Sequence, residues 1–187
     1  MSKKAIVLLA EGFEEVEAVT PVDYLRRAGV EVTVAAIGEN LTVKGARAGL
    51  QILAETALAQ LVKKGTAIWD AVIVPGGMPG AANLAACQNT CALLKDMAAA
   101  GKLICAICAS PAVVLAPLGL LSGRNFTCSP GMEEKVTDAF WSCERVVVDG
   151  NIITSRAAGT AGEFSIAIIK ALLGEETGKK TAESVLL

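Results

Sequence analysis

The sequence predicts an α/β fold: an open, largely parallel sheet with helices on both faces. Two observations carry this reading. Short apolar runs of strand length alternate with amphipathic runs of helix length along the chain, and two of the strand runs, Asp70 to Pro75 and Leu103 to Ile107, are apolar through their middle, as parallel strands buried on both faces must be. A chain of 187 residues that is 53% hydrophobic also has the material for one sizeable core.

Taken in order, Ala5 to Ala10 is an apolar strand and Glu14 to Ala28 an amphipathic helix ended by Gly29. Glu31 to Ile37 is a second strand and completes a βαβ opening. Gly38 to Gly49, with its charges and glycines, reads as a loop or short hairpin, followed by a brief strand at Gln51 to Ala54 and a helix at Ala57 to Lys64. The strand Asp70 to Pro75 stops at Gly76-Gly77. Asn83 to Ala100 reads as one long helix ended by Gly101, Leu103 to Ile107 as a buried strand, and Ala109 to Leu118 as the helix behind it. Phe126 to Cys128, Arg145 to Val148 and Ile152 to Ser155 continue as strands, and Gly162 to Leu173 and Lys179 to Leu187 close the chain as helices. No linker, repeat or low-complexity tract interrupts this order, so residues 1–187 read as a single domain.

Composition narrows the function classes. A net charge of −2 with interspersed signs lacks the electrostatic footprint of a nucleic-acid or anionic-membrane binder, which leaves small molecules or proteins as partners. The apolar segment after Met1-Ser2-Lys3-Lys4 is too short for a signal peptide, so a cytoplasmic location is expected, and there the sequons at Asn40 and Asn125 carry no meaning. Leu103 to Gly123 is uncharged and long enough for a membrane span, but Pro111, Pro117, Gly119 and Gly123 favour a buried strand and helix instead.

Six cysteines without a signal peptide are expected to be reduced thiols. Cys105 and Cys108 form a C-x-x-C whose side chains point to opposite faces if they lie on a strand. Cys87 and Cys91 are spaced to share one helix face, yet no second ligand pair stands nearby and the chain has no histidine, so neither a metal nor a cofactor is expected. The missing histidine also excludes a Cys-His or Ser-His dyad within one chain and leaves acid–base work to carboxyls, thiols, amines or water. No Walker A or dinucleotide fingerprint occurs; Gly76-Gly77-Met78-Pro79-Gly80 lacks the spacing.

Ligands of such sheets bind beyond the carboxyl ends of the strands. Four groups converge there: Glu14, Glu15 and Glu17 after the first strand, Gly76-Gly77, Cys108, and Arg156 to Thr160. Cys108 stands where an apolar strand gives way to a small-residue, proline-started helix, a corner that lifts its side chain out of the core beside a helix N-terminus and favours thiolate over thiol. The alternative is a small buried hydrophobe. Glu17 precedes Ala18 and Val19 and is the glutamate expected to turn inward, its neighbours facing water; an inward carboxyl stays protonated through desolvation and donates to a thiolate. The amides of Gly76-Gly77 and Ala109 are positioned for an oxyanion pocket.

Glu11-Gly12-Phe13-Glu14-Glu15-Val16-Glu17, Pro21-Val22-Asp23, Arg26-Arg27-Ala28-Gly29, Val74-Pro75-Gly76-Gly77, Ala106-Ile107-Cys108-Ala109-Ser110-Pro111 and Thr154-Ser155-Arg156, in this order, resemble the DJ-1 branch of the DJ-1/PfpI (ThiJ) superfamily over nearly the whole chain. The resemblance implies a flavodoxin-like, class I glutamine amidotransferase-like domain that forms a homodimer, with Cys108 on a strained nucleophile elbow and Glu17 hydrogen-bonded to it. It implies that Cys108 oxidises to a sulfinate which Glu17 stabilises, that Gly77 and Ala109 are the anion-pocket donors, and that Arg27, Arg47 and Asp23 lie near the dimer interface and the pocket. Members are described as oxidative-stress responders, chaperones, glyoxalases converting methylglyoxal to lactate, and deglycases acting on early glycation adducts.

Four residues mark departures from family patterns. Cys128 stands where relatives often carry a pocket histidine, either as another buried thiol or as a resolving partner for Cys108. Ala109 stands where protease-like members place a histidine, which argues against peptidase chemistry. Ala157-Ala158 replaces the Gly-Pro that follows the arginine in close relatives. Two functions follow as expectations. One is cofactor-free glyoxalase or deglycase chemistry on small reactive carbonyl compounds or glycated groups, by Cys108 and Glu17. The other is a non-catalytic redox sensor or chaperone acting through oxidation of Cys108. A flavin-binding module would share the strand–helix pattern but has no strong phosphate motif.

Overall fold

The computed structural model describes residues 2–47, 49–63 and 68–187. β1 (Lys4–Leu9), α1 (Glu15–Arg27) and β2 (Glu31–Ala36) form the expected βαβ opening, with β1 and β2 paired in parallel. The charged stretch after β2 is a hairpin, β3 (Thr42–Lys44) paired antiparallel with β4 (Gln51–Leu53). A two-residue strand, β5 (Thr56–Ala57), then precedes α2 (Leu58–Val62); Lys64, expected to end this helix, lies outside the described residues. β6 (Ala71–Val74) follows as read.

The long helix expected at Asn83 to Ala100 is two helices, α3 (Gly80–Ala86) and α4 (Gln88–Ala99), because Cys87 between them is extended at φ −80°, ψ 114°. β7 (Leu103–Ile107) has the expected bounds. The helix expected at Ala109 to Leu118 is present but irregular in pitch: the Val113 N–H donates to the Ala109 carbonyl, a wide π-type turn spans Pro111–Leu115, in which the Ala116 N–H reaches the Pro111 carbonyl, and a tight 3₁₀ turn follows over Ala116–Leu118. Pro117 has no N–H to continue a regular helix and its ring crowds the preceding turn.

β8 (Asn125–Phe126) pairs with β9 (Phe140–Trp141), a strand with no counterpart in the sequence reading. β10 (Val146–Asp149) and β11 (Ile152–Ser155) form an antiparallel hairpin. α5 (Ala161–Leu173) and α6 (Glu175–Ser184) close the described chain. The last helix begins earlier than read, with Glu175 and Glu176 in its first turn, where carboxylates meet the positive end of the helix dipole.

The main sheet has seven strands in the order β10-β11-β7-β6-β1-β2-β5, and every neighbouring pair except β10 with β11 is parallel. Alternate residues of the central strands feed two cores. Ile6, Leu8, Val72, Ile104 and Ala106 face Leu84, Leu93 and Met97 of α3 and α4. Val7, Leu9, Ile73, Cys105 and Ile107 face Leu25 of α1 and Phe164 and Ile168 of α5. Burial on both faces is why these strands read as continuous apolar runs. The uncharged run after Leu103 is thus strand and turns, and no helix among the described residues is long and apolar enough to cross a membrane.

Candidate functional site

The sheet brings Cys108, Gly76 and Glu17 together at the carboxyl ends of β7 and β6 and the start of α1. Cys108 directly follows β7, and its N–H extends the pairing with β11 by donating to the Ser155 carbonyl at 2.9 Å. Its φ is +64°, a left-handed conformation that costs a non-glycine residue about 1–3 kcal/mol and turns the chain sharply out of the sheet. The buried Ser110 hydroxyl pins the far side of this turn by donating to the Pro75 carbonyl at 2.6 Å. The corner is therefore held by β11 on one side and by the end of β6 on the other.

Gly76 makes the approach of thiol and carboxyl possible. A Cβ there would stand 2.7 Å from both the Cys108 Cβ and Glu17 Oε2. Gly77 has φ +88°, and a Cβ on it would stand 2.5 Å from the Glu14 nitrogen and 2.6 Å from the Gly12 carbonyl. The Gly-Gly step is thus the contact surface between the end of β6 and the entrance of α1, where the Glu14 N–H donates to the Gly76 carbonyl at 3.0 Å.

Glu14 caps α1, its side chain accepting the Glu17 N–H at 2.8 Å, and this orients the first turn so that Glu17 points inward with 1% exposure. Glu17 Oε2 accepts the Gly76 N–H at 2.9 Å. The Ala158 amide and the Cys108 thiol complete its surroundings. Burial, seconded by the charge of Glu14, pushes the Glu17 carboxyl up to about 7. Burial and the neighbouring Glu17 push the Cys108 thiol up to about 11, although the amides of Gly77 and Ala109, donating toward the sulfur, pull it down.

At Cys108 burial and the adjacent carboxyl oppose the backbone amides that the sequence expects to favour thiolate. Both shifts have one meaning: at neutral pH the pair holds at least one proton and carries at most one negative charge.

A pH dependence of stability follows. A carboxyl raised from 4.5 to about 7 on folding contributes its full share below pH 4.5, and that share, about 3 kcal/mol, is lost as pH rises toward 7. Urea unfolding between pH 4.5 and 7 is expected to show this decline in the wild type and not in Glu17→Gln; equal slopes for both proteins would refute the burial of an ionising Glu17.

The other site residues separate into two groups. Gly77 and Ala109 present their amides to the sulfur, whereas the Gly76 amide is engaged by Glu17. Cys128 is fully buried, and its thiol senses the charges of Glu133, Cys108 and Arg156. Arg156 donates to the Cys143 carbonyl at 3.2 Å. By contrast Arg27 pairs with Asp23 at 2.9 Å on the exposed side of α1, with no contact to the thiol in this chain. Arg47 is also exposed; its backbone N–H donates to Glu15 at 3.1 Å, placing it at the hairpin rather than at Cys108.

Glu15 corrects a second expectation. It is buried, not facing water, and packs against Gly45 of the hairpin, which a Cβ would close off. The sequence reading gives Ser110 and Glu133 no role of their own and treats Ala158 only as part of a departure from the family pattern. Ser110 had a usable signal, a hydroxyl directly behind a corner whose backbone groups need partners. A separate groove of about 400 Å³ opens at the ends of β1 and β2, lined in part by Glu11, Ile37, Asn83 and Cys87. Cys108 is not part of its wall.

The sequence model of the DJ-1/PfpI family matches residues 3–171. The chain is 42% identical over 182 residues to the Arabidopsis thaliana protein named DJ-1 homolog A, covering 97% of this chain and 45% of that protein. It thus spans less than half the length of that relative. It is 37% identical over 177 residues to a Caenorhabditis elegans protein named as a glutathione-independent glyoxalase, covering 93% of this chain and 91% of that one. Among solved structures, oxidized DJ-1 of Toxoplasma gondii matches with a TM-score of 0.94 at 37% identity, covering 99% of this chain and 98% of that one. These likenesses bear out the flavodoxin-like fold.

Proposed function

Because this chain belongs to the DJ-1/PfpI family, we propose that it is a cytoplasmic, cofactor-independent enzyme acting on small 2-oxoaldehydes, with Cys108 as nucleophile and Glu17 as the proton-transfer group. The observation that carries this reading is the buried Cys108–Glu17 pair at the left-handed corner after β7. A carboxyl near 7 both takes and gives a proton at neutral pH.

Glu17 takes the thiol proton as the sulfur adds to the aldehyde carbon, and returns it to the aldehyde oxygen to give a hemithioacetal. It then takes the hydrogen of that carbon as the neighbouring ketone oxygen gains a proton, and delivers a proton to the neighbouring carbon as the hemithioacetal hydroxyl loses its own, which yields a 2-hydroxy thioester. Water releases the 2-hydroxy acid and the thiol. The amides of Gly77 and Ala109 are the donors for charge developing beside the sulfur. The sequence supplies no histidine for any of these transfers. The C. elegans relative named as a glyoxalase supports the substrate class. Deglycation of early glycation adducts belongs to the same carbonyl chemistry. The test is methylglyoxal turnover with identification of the product: lactate is expected, and consumption without lactate overturns the reading.

A redox role is the second reading, favoured by the oxidized state in which the Toxoplasma protein was solved. In it, Cys108 is oxidised selectively and the oxidised protein is the active species.

The same proposal includes a homodimer. Val16 and Val19 of α1 are 48% and 47% exposed, and Leu50 and Leu53 of the adjoining hairpin 57% and 73%, an apolar face suited to a second copy. Arg27, Asp23 and Arg47 lie on these same elements. Val19→Asp is expected to shift the sedimentation coefficient from dimer to monomer at micromolar concentration; an unchanged coefficient would place the interface elsewhere.

A further inference from the structure

Cys128 is the one buried thiol beside Cys108 that neither reading uses. The segment carrying it is fixed at both of its neighbours. The Thr127 N–H donates to the Thr154 hydroxyl of β11 at 2.9 Å, in the interior. The Ser129 N–H donates to the carbonyl of Cys108 itself at 2.8 Å. Cys128 is thus clamped between β11 and the corner, one residue from a direct backbone link to Cys108. That separation is compatible with the roughly 4–7 Å between Cα atoms that a disulfide spans. Cys108, at the corner, packs against the clusters on both faces of the sheet and shares one of them with Cys128.

The remaining thiols are placed differently. Cys105 packs in the cluster on the opposite face of the sheet, Cys143 is exposed, and Cys87 and Cys91 belong to the α3–α4 junction. Cys128 has no surface of its own, so a bulk oxidant meets Cys108 first.

We propose that Cys128 is the resolving thiol of Cys108: a hydroperoxide oxidises Cys108 to the sulfenic acid, and Cys128 condenses with it to an intramolecular disulfide that switches the site off reversibly. This rests on Cys108 being the reactive thiol of the preceding section. In the first step the Cys108 sulfur takes one oxygen from the hydroperoxide, which is reduced to water or the corresponding alcohol. In the second, the Cys128 sulfur attacks the sulfenic sulfur, and the Cys128 proton leaves with the sulfenic hydroxyl as water. The two thiols have together lost two electrons and two protons to one equivalent of hydroperoxide. A thiol or dithiol reductant reverses the product.

Burial first, then the charges of Glu133 and Cys108, push the Cys128 thiol up to about 12, so it stays protonated and inert at rest. Its competence comes from being held beside the sulfenic sulfur, where a high effective concentration offsets a low thiolate fraction. The competing fate is a second oxidation of Cys108 to sulfinate, which no thiol reverses.

The experiment treats the full chain with one and then two equivalents of hydrogen peroxide, blocks free thiols under denaturing conditions and reads intact mass and peptide maps. Expected for the wild type is a loss of two hydrogens, two fewer blocked thiols, and a linked pair of peptides containing Cys108 and Cys128. Cys128→Ser and Cys128→Ala are expected to give several-fold more Cys108 sulfinate at two equivalents. Direct gain of two oxygens on Cys108 in the wild type, with Cys128 still free, would overturn the proposal, as would linkage of Cys108 to any other cysteine. The wild-type readout needs no variant to fold. A disulfide in a protein that makes no lactate would sink the glyoxalase reading and leave this one standing; a Cys108 that peroxide does not touch would sink this one.

Discussion

Cys108→Ala is expected to convert methylglyoxal to lactate no faster than buffer does, a loss of about 10⁴-fold or more, on the scale seen when a covalent nucleophile is removed. Three features make the loss specific. No second thiol can take over: Cys105 and Cys128 are fully buried, and Cys108 is the thiol hydrogen-bonded to Glu17. Alanine meets the left-handed conformation at φ +64° with much the same backbone strain as cysteine, so the melting temperature should stay within a few degrees. The half-buried position also leaves only a small cavity. Cys108→Ser keeps the shape but replaces the thiol with a far weaker acid, and it should be equally inactive. Retention of a tenth of the wild-type rate in either variant would move the chemistry away from the β7 corner.

Gly77→Ala should have the largest effect on stability, about 3–5 kcal/mol, which in a chain of this size lowers the melting temperature by roughly 10–15 °C. One part is conformational, since an L side chain at φ +88° is strained by about 1–2 kcal/mol. The rest is steric: the added Cβ meets backbone atoms of Gly12, Phe13 and Glu14, which cannot swing aside as a side-chain tip would. Gly29→Ala separates the two parts. Its φ is +86°, but nothing lies within 4 Å of the added Cβ, so only the conformational part should appear, a few degrees of melting temperature. Paired thermal melts decide it, and equal losses in the two variants would mean that the entrance of α1 yields readily.

The site was legible where a single property left a mark on the sequence. β7 is buried on both faces and therefore reads as an unbroken apolar run, and the corner behind it is marked by Ser110-Pro111. Glu17 could be separated from Glu14 by the apolar residues that follow it. It could not be separated from Glu15, because what buries Glu15 is Gly45 on a hairpin thirty residues later. The break at Cys87 left no mark either, since neither proline nor glycine stands there and only the packing of α3 and α4 requires it. β9 has two exposed residues and no alternation to read. The irregular pitch behind Cys108 is marked only by Pro117, because a proline-started apolar run reads as a regular helix.

The sheet order also fixes when the reactive thiol comes into existence during synthesis. β7 is flanked by β6 and by β11, and the strand that receives the Cys108 N–H ends at Ser155. A nascent chain that has emerged only as far as Cys108 can build β1, β2, β6 and one edge of β7, but the corner has nothing on its other side and Cys128 has not yet been made. Cys108 is then an ordinary cysteine on an open strand edge. Glu17 and Gly76 are already made by then, but Cys128 follows about twenty residues on, and the Ser155 carbonyl that receives the Cys108 N–H leaves the ribosome only after some fifty more, at the several residues per second typical of translation. Co-translational exposure to oxidants thus meets a thiol whose corner is open on the β11 side and whose buried companion is not yet in place, and the completed fold is what closes it.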